Sequence, residues 1–200
     1  MKYERKYAEI AAALYDALAS DPFYYTLEAS APADKARDAM LDYLDYSLTE
    51  AENHGMLSLV YEDGPGAAAW RNPLDAALAA SIAADKKAFI AKTMGAACLD
   101  TYTSIANFMQ FATRPHVSVE AWYLSIIGVS PTAQGRGIGR KMVAEGLQHT
   151  DAAGLPTYLE TFTPRNRRFY QRLGYEEAAV IHEPRTGASY SVMVRRPRRG

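Results

Sequence analysis

The residues with the plainest chemical potential lie between Gly128 and Lys141, in "GVSPTAQGRGIGRK". Glycines alternate at 135, 137 and 139, and Arg136, Arg140 and Lys141 stand among them. A hydrophobic run, Trp122 to Ile127, comes before. A helical pattern follows, with Ile138, Met142, Val143 and Leu147 on one face. Helix N-termini present unpaired N–H groups and a partial positive charge. Glycine lets the backbone approach a ligand closely and take φ > 0. Three glycines with three cations at a helix start therefore predict an anion site suited to a phosphate or pyrophosphate. The alternative is a tight turn that holds nothing. The spacing is G-x-G-x-G, so it fits neither the dinucleotide nor the Walker fingerprint.

Two further groups invite chemistry. Glu160 falls within a strand pattern at 156–162, where a carboxylate is disfavoured unless it is paired or used. It could take a proton from an ammonium, directly or through water, or it could pair with an arginine such as Arg168. His116 and Glu120 are weaker candidates for the same proton. Phe23, Tyr24 and Tyr25 crowd the stretch "DPFYYTLE". Aromatic faces beside carboxylates suit a cationic amine, and equally suit a packed core with hydroxyls at its rim. Cys98, in an alanine-rich helical stretch, reads as a buried structural thiol rather than an acyl-carrying nucleophile. No metal site is expected.

The elements that must position these groups follow from periodicity. Residues 3–20 read as a helix with Ile10, Leu14 and Leu18 on one face, and Pro22 is expected to break it. Residues 34–52 form a second helix, with Met40, Leu41, Leu44 and Leu48 as its stripe. "GMLSLVYED" and "AAAWRN" form a hairpin around "GPG". Residues 74–113 are helical in period, as two or three helices. From residue 120 strands and helices alternate: strand 120–129, helix 137–150, strand 156–162, helix 164–173, and strands near 177–182 and 189–194. That alternation predicts α/β with at least one parallel crossover. Residues 1–196 read as a single domain and 197–200 as a basic tail.

Composition narrows the function. The chain has 200 residues, 48% of them hydrophobic, enough for a substantial core. No apolar run approaches the ~20 residues of a membrane span, and "MKYERKYAEI" lacks the layout of a signal peptide. A single cysteine allows no internal disulfide, so a reduced, cytoplasmic setting is expected. Residues 1–110 carry 9 Lys/Arg and 16 Asp/Glu, residues 111–200 carry 13 and 7, and the net charge is −1. The split suggests two ligands of opposite sign, or two solvated surfaces. Nucleic-acid binding through the tail and the arginines 165–172 has no motif behind it and is not expected.

The motifs also carry a family resemblance. Gln134-x-x-Gly137-x-Gly139 after a hydrophobic strand resembles the acetyl-CoA loop of the Gcn5-related N-acetyltransferases (GNAT). "LPTYLETFTPRNRRFYQRLGYEE" resembles the strand, helix and "GY" turn that follow in that family. "AWYLSIIGVSPTAQGRGIG", "YLETFTPRNRRFYQRLGY" and "GAAAWRNP" look more narrowly like the puromycin N-acetyltransferase branch. The likeness is strong over about 120–196, fair over 55–73 and weak elsewhere.

The resemblance implies an α/β (α+β) fold. Its mixed, mostly antiparallel sheet would splay between the family's fourth and fifth strands, with helices on both faces. Residues 74–113 would be a helical insertion before the central strand, and the family's first strand would be short or missing. It also implies acetyl-CoA as acetyl donor. Ile127, Gly128 and Val129 would pair with the pantetheine arm. Gln134, Gly135, Arg136, Gly137, Ile138, Gly139 and Arg140 would hold the pyrophosphate. Asn166 and Phe169 would approach the distal part of the cofactor, and Tyr170 matches the family's general acid. A phenol of pKa ~10 can protonate a thiolate of pKa ~8.5; a packing tyrosine is the alternative. Thr163 and Pro164 suit the cap and first turn of the helix that carries Tyr170. Glu160 would be the base, and Phe23, Tyr24 and Tyr25 would overhang the thioester. The expected activity is direct acetyl transfer to a primary amine of a small, cationic molecule by a monomer or homodimer. The alternative is a non-catalytic acyl-CoA-binding domain.

Overall fold

No strand precedes the first helix, α1 (Ala8–Leu18), among the residues that the computed structural model describes, 3–62 and 64–198. Arg199 and Gly200 of the expected tail lie outside them. Ile10 and Leu14 of α1 are fully buried, as their spacing predicts. Pro22 does not end helical structure there. It opens α2 (Pro22–Ala29), with the Asp21 side chain accepting from Phe23 N–H at 3.0 Å. A proline costs nothing at a position whose N–H has no helical partner, so the expected break is a short joint between two helices.

In α3 (Ala36–His54) the stripe Met40, Leu41, Leu44 and Leu48 is buried, and so are Asp42, Asp45, Ser47 and Glu50. Packing on several sides explains this: α1, α2 and the first two strands all contact α3. Asp45 accepts from the Lys6 and Tyr7 N–H groups and from the Tyr3 hydroxyl, anchoring the start of α1.

The hairpin of β1 (Gly55–Val60) and β2 (Gly66–Arg71) leads into two helices, α4 (Ala76–Thr93) and α5 (Ala96–Thr113). The alternating part contains β3 (Trp122–Val129), α6 (Ile138–Ala152), β4 (Thr157–Thr161), α7 (Arg167–Arg172), β5 (Glu176–Glu183) and β6 (Ala188–Arg195). The sheet runs β1-β2-β3-β4-β6-β5, and only β3 and β4 are parallel. α6 covers one face of the β1–β3 half, and α1 and α3 cover the other. Gly146 of α6 has no side chain because Trp70 of β2 lies there; an added Cβ would stand 2.5 Å from its ring.

Two irregularities shape the centre of the sheet. β3 and β4 pair only at Trp122↔Thr157 and Tyr123↔Tyr158, after which the strands diverge. This is the splay expected between the family's fourth and fifth strands, and with no initial strand it falls between the third and fourth here. Second, Ala69 faces Ile126 while Trp70 faces Leu124, so Ser125 is an extra residue in β3. Such a bulge re-aims side chains. Trp122 and Leu124 join the core beneath α6, while Tyr123, Ser125 and Ile126 line a cavity on the other face.

Candidate active site

The glycine loop has the form an anion site requires. Gly135 (φ 81°) and Gly137 (φ 82°) are both left-handed, a conformation that only glycine takes readily. A Cβ at either would meet nothing within 4 Å, so open space lies against the backbone there. Gly137 is the N-cap of α6 and no side chain caps the helix. Ile138 is buried beneath the loop, while Arg136 and Arg140 are exposed on it. Gln134 is exposed, and its Nε2 donates to Val129 O at 3.1 Å, tying the loop to the end of β3. Gly139 rests near Phe169 and Ile127, its Cβ position 3.4 and 3.8 Å from them. Gly128 is a glycine for packing reasons, since a Cβ would fall 2.6 Å from Leu14 of α1.

Beyond the divergence of β3 and β4 lies a cavity of about 610 Å³. The two helices of 74–113 form its far wall. Ala83, Lys86 and Lys87 come from α4; Tyr102, Ala106, Met109, Gln110 and Thr113 come from α5. The α5 residues recur at i, i+4, i+7, i+8 and i+11, one helix face. That stripe was legible, but its mixed polarity does not read as core, and no family motif covers it.

Glu160 points into this cavity from β4. It accepts from Thr113 Oγ1 and, at 3.0 Å, from the Tyr123 hydroxyl. Burial raises its pKa, and the two hydrogen bonds oppose the rise without cancelling it. A carboxylate moved towards neutrality and facing a cavity suits a general base. His116 and Glu120 are exposed outside this arrangement.

A 3₁₀ turn, Pro164–Asn166, runs into α7. Proline stands in its first turn, as expected, but Thr163 makes no side-chain cap. Asn166 is the N-cap of α7. Tyr170, 6% exposed, packs against Phe169 and Tyr175, with ring centroids 5.2 and 6.1 Å away. Burial pushes its phenol well above the ordinary tyrosine range, with Tyr175 and Asp21 adding to the rise. Asp21 itself lines the cavity, and burial raises its pKa to about 6. Phe23 and Tyr24 line the cavity too. Tyr25 does not: it follows them on a helix rather than in a loop, faces outward, and is 66% exposed.

At the end of β2 is a cluster that sequence reasoning missed. Arg71 Nη2 and Lys86 Nζ (3.5 Å) both reach Glu50 Oε1. Lys86 also donates to Ser47 Oγ at 3.1 Å and lies 5.2 Å from the centre of the Tyr43 ring of α3. Burial, then Arg71, lowers the Lys86 pKa to about 8. Arg71, Lys86, Lys87 and Arg114 all line the cavity. The acidic half of the chain thus brings cations to this end of the cavity. Many of its carboxylates are engaged within the fold: Asp38 and Asp42 with Arg5, Glu52 with Lys6, Asp100 with Arg185, Glu28 with the Tyr15 hydroxyl. Cys98 is buried, donating to Leu27 O at 3.4 Å, as expected of a structural thiol.

Residues 84–177 match the family model for the acetyltransferase (GNAT) domain. An uncharacterized N-acetyltransferase of Schizosaccharomyces pombe is 33% identical over 79 residues, 38% of this chain and 32% of that protein. A mycothiol acetyltransferase of Mycobacteroides abscessus is 43% identical over 56 residues, 26% of this chain and 19% of that protein. The chain thus matches about a fifth to a third of the length of these curated relatives. Among solved structures, the Corynebacterium glutamicum "histone acetyltransferase HPA2 and related acetyltransferase" superposes with a TM-score of 0.65 at 21% identity, over 98% of this chain and 93% of that one. The polyamine N-acetyltransferase of Drosophila melanogaster gives 0.58 at 13%, over 94% and 93%. These likenesses show that the fold of those structures extends over nearly the whole chain. Among the described residues no helix is long and apolar enough to cross a membrane.

Proposed function

We propose that this chain transfers an acetyl group from acetyl-CoA directly to a primary amine of a small molecule. One observation carries the reading: the gap between β3 and β4 has an open glycine cradle at a helix N-terminus on one side and a cavity holding a half-buried carboxylate on the other. Acetyl-CoA, where bound, supplies an acetyl thioester. The N–H groups of Gly135 to Arg140 would hold its pyrophosphate, aided by the charge of Arg136 and Arg140. The backbone of Ile127 to Val129 would orient the pantetheine arm, with Asn166 and Phe169 alongside. An amine reaches the cavity as an ammonium and must lose a proton before it can attack. Glu160, raised in pKa by burial, accepts that proton at its carboxylate. Tyr170 holds a phenolic proton throughout the neutral range and gives it to the departing sulfur. Phe23 and Tyr24 exclude water on the acceptor side.

A thiol-release assay with acetyl-CoA tests this, run against aminonucleosides (for the puromycin-branch likeness), aminoglycosides, polyamines, amino acids and peptides, with the N-acetyl product identified by mass. Amine-dependent thiol release is expected. Tight acetyl-CoA binding with no transfer to any amine would leave a binding domain instead.

A further inference from the structure

We propose that the acceptor carries a carboxylate as well as its amine, and that Arg71, backed by Lys86, receives that carboxylate while the amine faces Glu160. The inference rests on the acetyl-transfer reading for the position of the amine.

The Arg71 cluster is a poor match for a purely structural ion pair. A guanidinium that neutralises a buried carboxylate frequently makes a two-pronged pair with it. Here Nη2 alone reaches Glu50, on Oε1, which Lys86 shares, and buried Oε2 has no hydrogen-bond partner. Two cations thus stand against one carboxylate. The Arg71 side chain is 44% exposed while that of Glu50 is 7% exposed. Arg71 nonetheless lies deep enough to feel Glu50, Tyr102, Tyr123 and Tyr43, so it is exposed to the cavity. A planar, forked cation that gives Glu50 only one of its nitrogens and opens onto a cavity is chemistry that receives a carboxylate.

Position agrees with charge. Arg71 is the register partner of Tyr123, Tyr123 stacks on Tyr158 at 4.7 Å, and the Tyr123 hydroxyl reaches Glu160 at 3.0 Å. The cationic end and the basic carboxylate are therefore joined by one tyrosine across β2, β3 and β4. An amine with a carboxylate on the same small skeleton matches both ends. A polyamine would place a second ammonium against Arg71 and Lys86, where like charges in a desolvated site are strongly disfavoured.

The test separates binding from turnover. N-acetyl amino acids and the matching N-acetyl amino acid amides are titrated by calorimetry into the protein saturated with CoA. At least one acid should bind tenfold or more tightly than its own amide. In Arg71→Met that ratio should fall towards one, with Arg71→Lys between, and thermal melts would confirm that each variant is folded. The wild-type ratio decides even if a variant fails to fold. Equal binding of acids and amides, tighter binding of amides, or no binding of any acid would overturn the proposal and leave the cluster structural. An acid preference without amine-dependent thiol release would keep the carboxylate site and sink catalysis. Efficient transfer to polyamines with no acid preference would do the reverse.

Discussion

The Tyr123 hydroxyl donates a 3.0 Å hydrogen bond to Glu160 Oε2 from the neighbouring strand, just where β3 and β4 cease to pair. The bond lowers the Glu160 pKa against the larger upward push of burial. Tyr123→Phe removes the opposing contribution, so the pKa of Glu160 should rise further. The acidic limb of the kcat/KM profile should then move to higher pH, by up to about one unit. Glu160→Gln should abolish that limb and lower kcat by about 10²–10⁴. A profile unchanged in both variants would put the base elsewhere.

Gly137 offers a cleaner test of the cofactor loop than of the fold. Its φ of 82° is costly for a β-branched residue, about 1–3 kcal/mol, although its Cβ direction is open. Gly137→Val should weaken acetyl-CoA binding at least tenfold by calorimetry, with a cooperative melt retained. Undiminished affinity would remove the loop from the site.

Tyr170→Phe keeps the packing ring and removes the proton. A fall in kcat of about 10²–10⁴ is expected, with acetyl-CoA affinity little changed. Because burial keeps the phenol protonated well past its ordinary range, Tyr170 should contribute no alkaline limb below about pH 10. An alkaline limb that disappears in Tyr170→Phe would contradict this assignment.

Asp21 links pH to stability. Its folded pKa, about 6, lies above the ordinary carboxylate value, so its ionisation opposes folding. The protonated group's contribution is intact below about pH 4 and is lost as pH rises through 6. Asparagine keeps an N-cap acceptor for Phe23 N–H. Asp21→Asn should therefore match wild type near pH 4 and exceed it by about 1–3 kcal/mol above pH 7, in denaturant titrations at both values. A difference independent of pH would mean that Asp21 stays ionised throughout.

The sequence was most legible where backbone chemistry is local. The alternating glycines of 135–139, the α6 stripe and the order of strands from residue 120 all reappear in the structure, because helix starts and strand periods are written in adjacent residues. Pro22 was misread because a proline that ends one helix can equally open the next, and Asp21 before it was the cap that distinguished the two. Arg71 was invisible as a site residue. Nothing near it in sequence signals Glu50 or Lys86, which α3 and α4 deliver from 21 and 15 positions away. Tyr25 shows the converse: its two neighbours reach the cavity, and the turn of α2 carries it to the opposite side.

The two-rung junction of β3 and β4 also bears on how the molecule keeps company with itself. Strand edges that stop pairing inside a domain are templates for strands from another chain. Here those edges open onto the seam where the pantetheine arm would lie. A molecule that pairs along β3 would act as a borrowed strand and close the template. The acetyl donor would then cover backbone groups that the fold itself leaves unpaired.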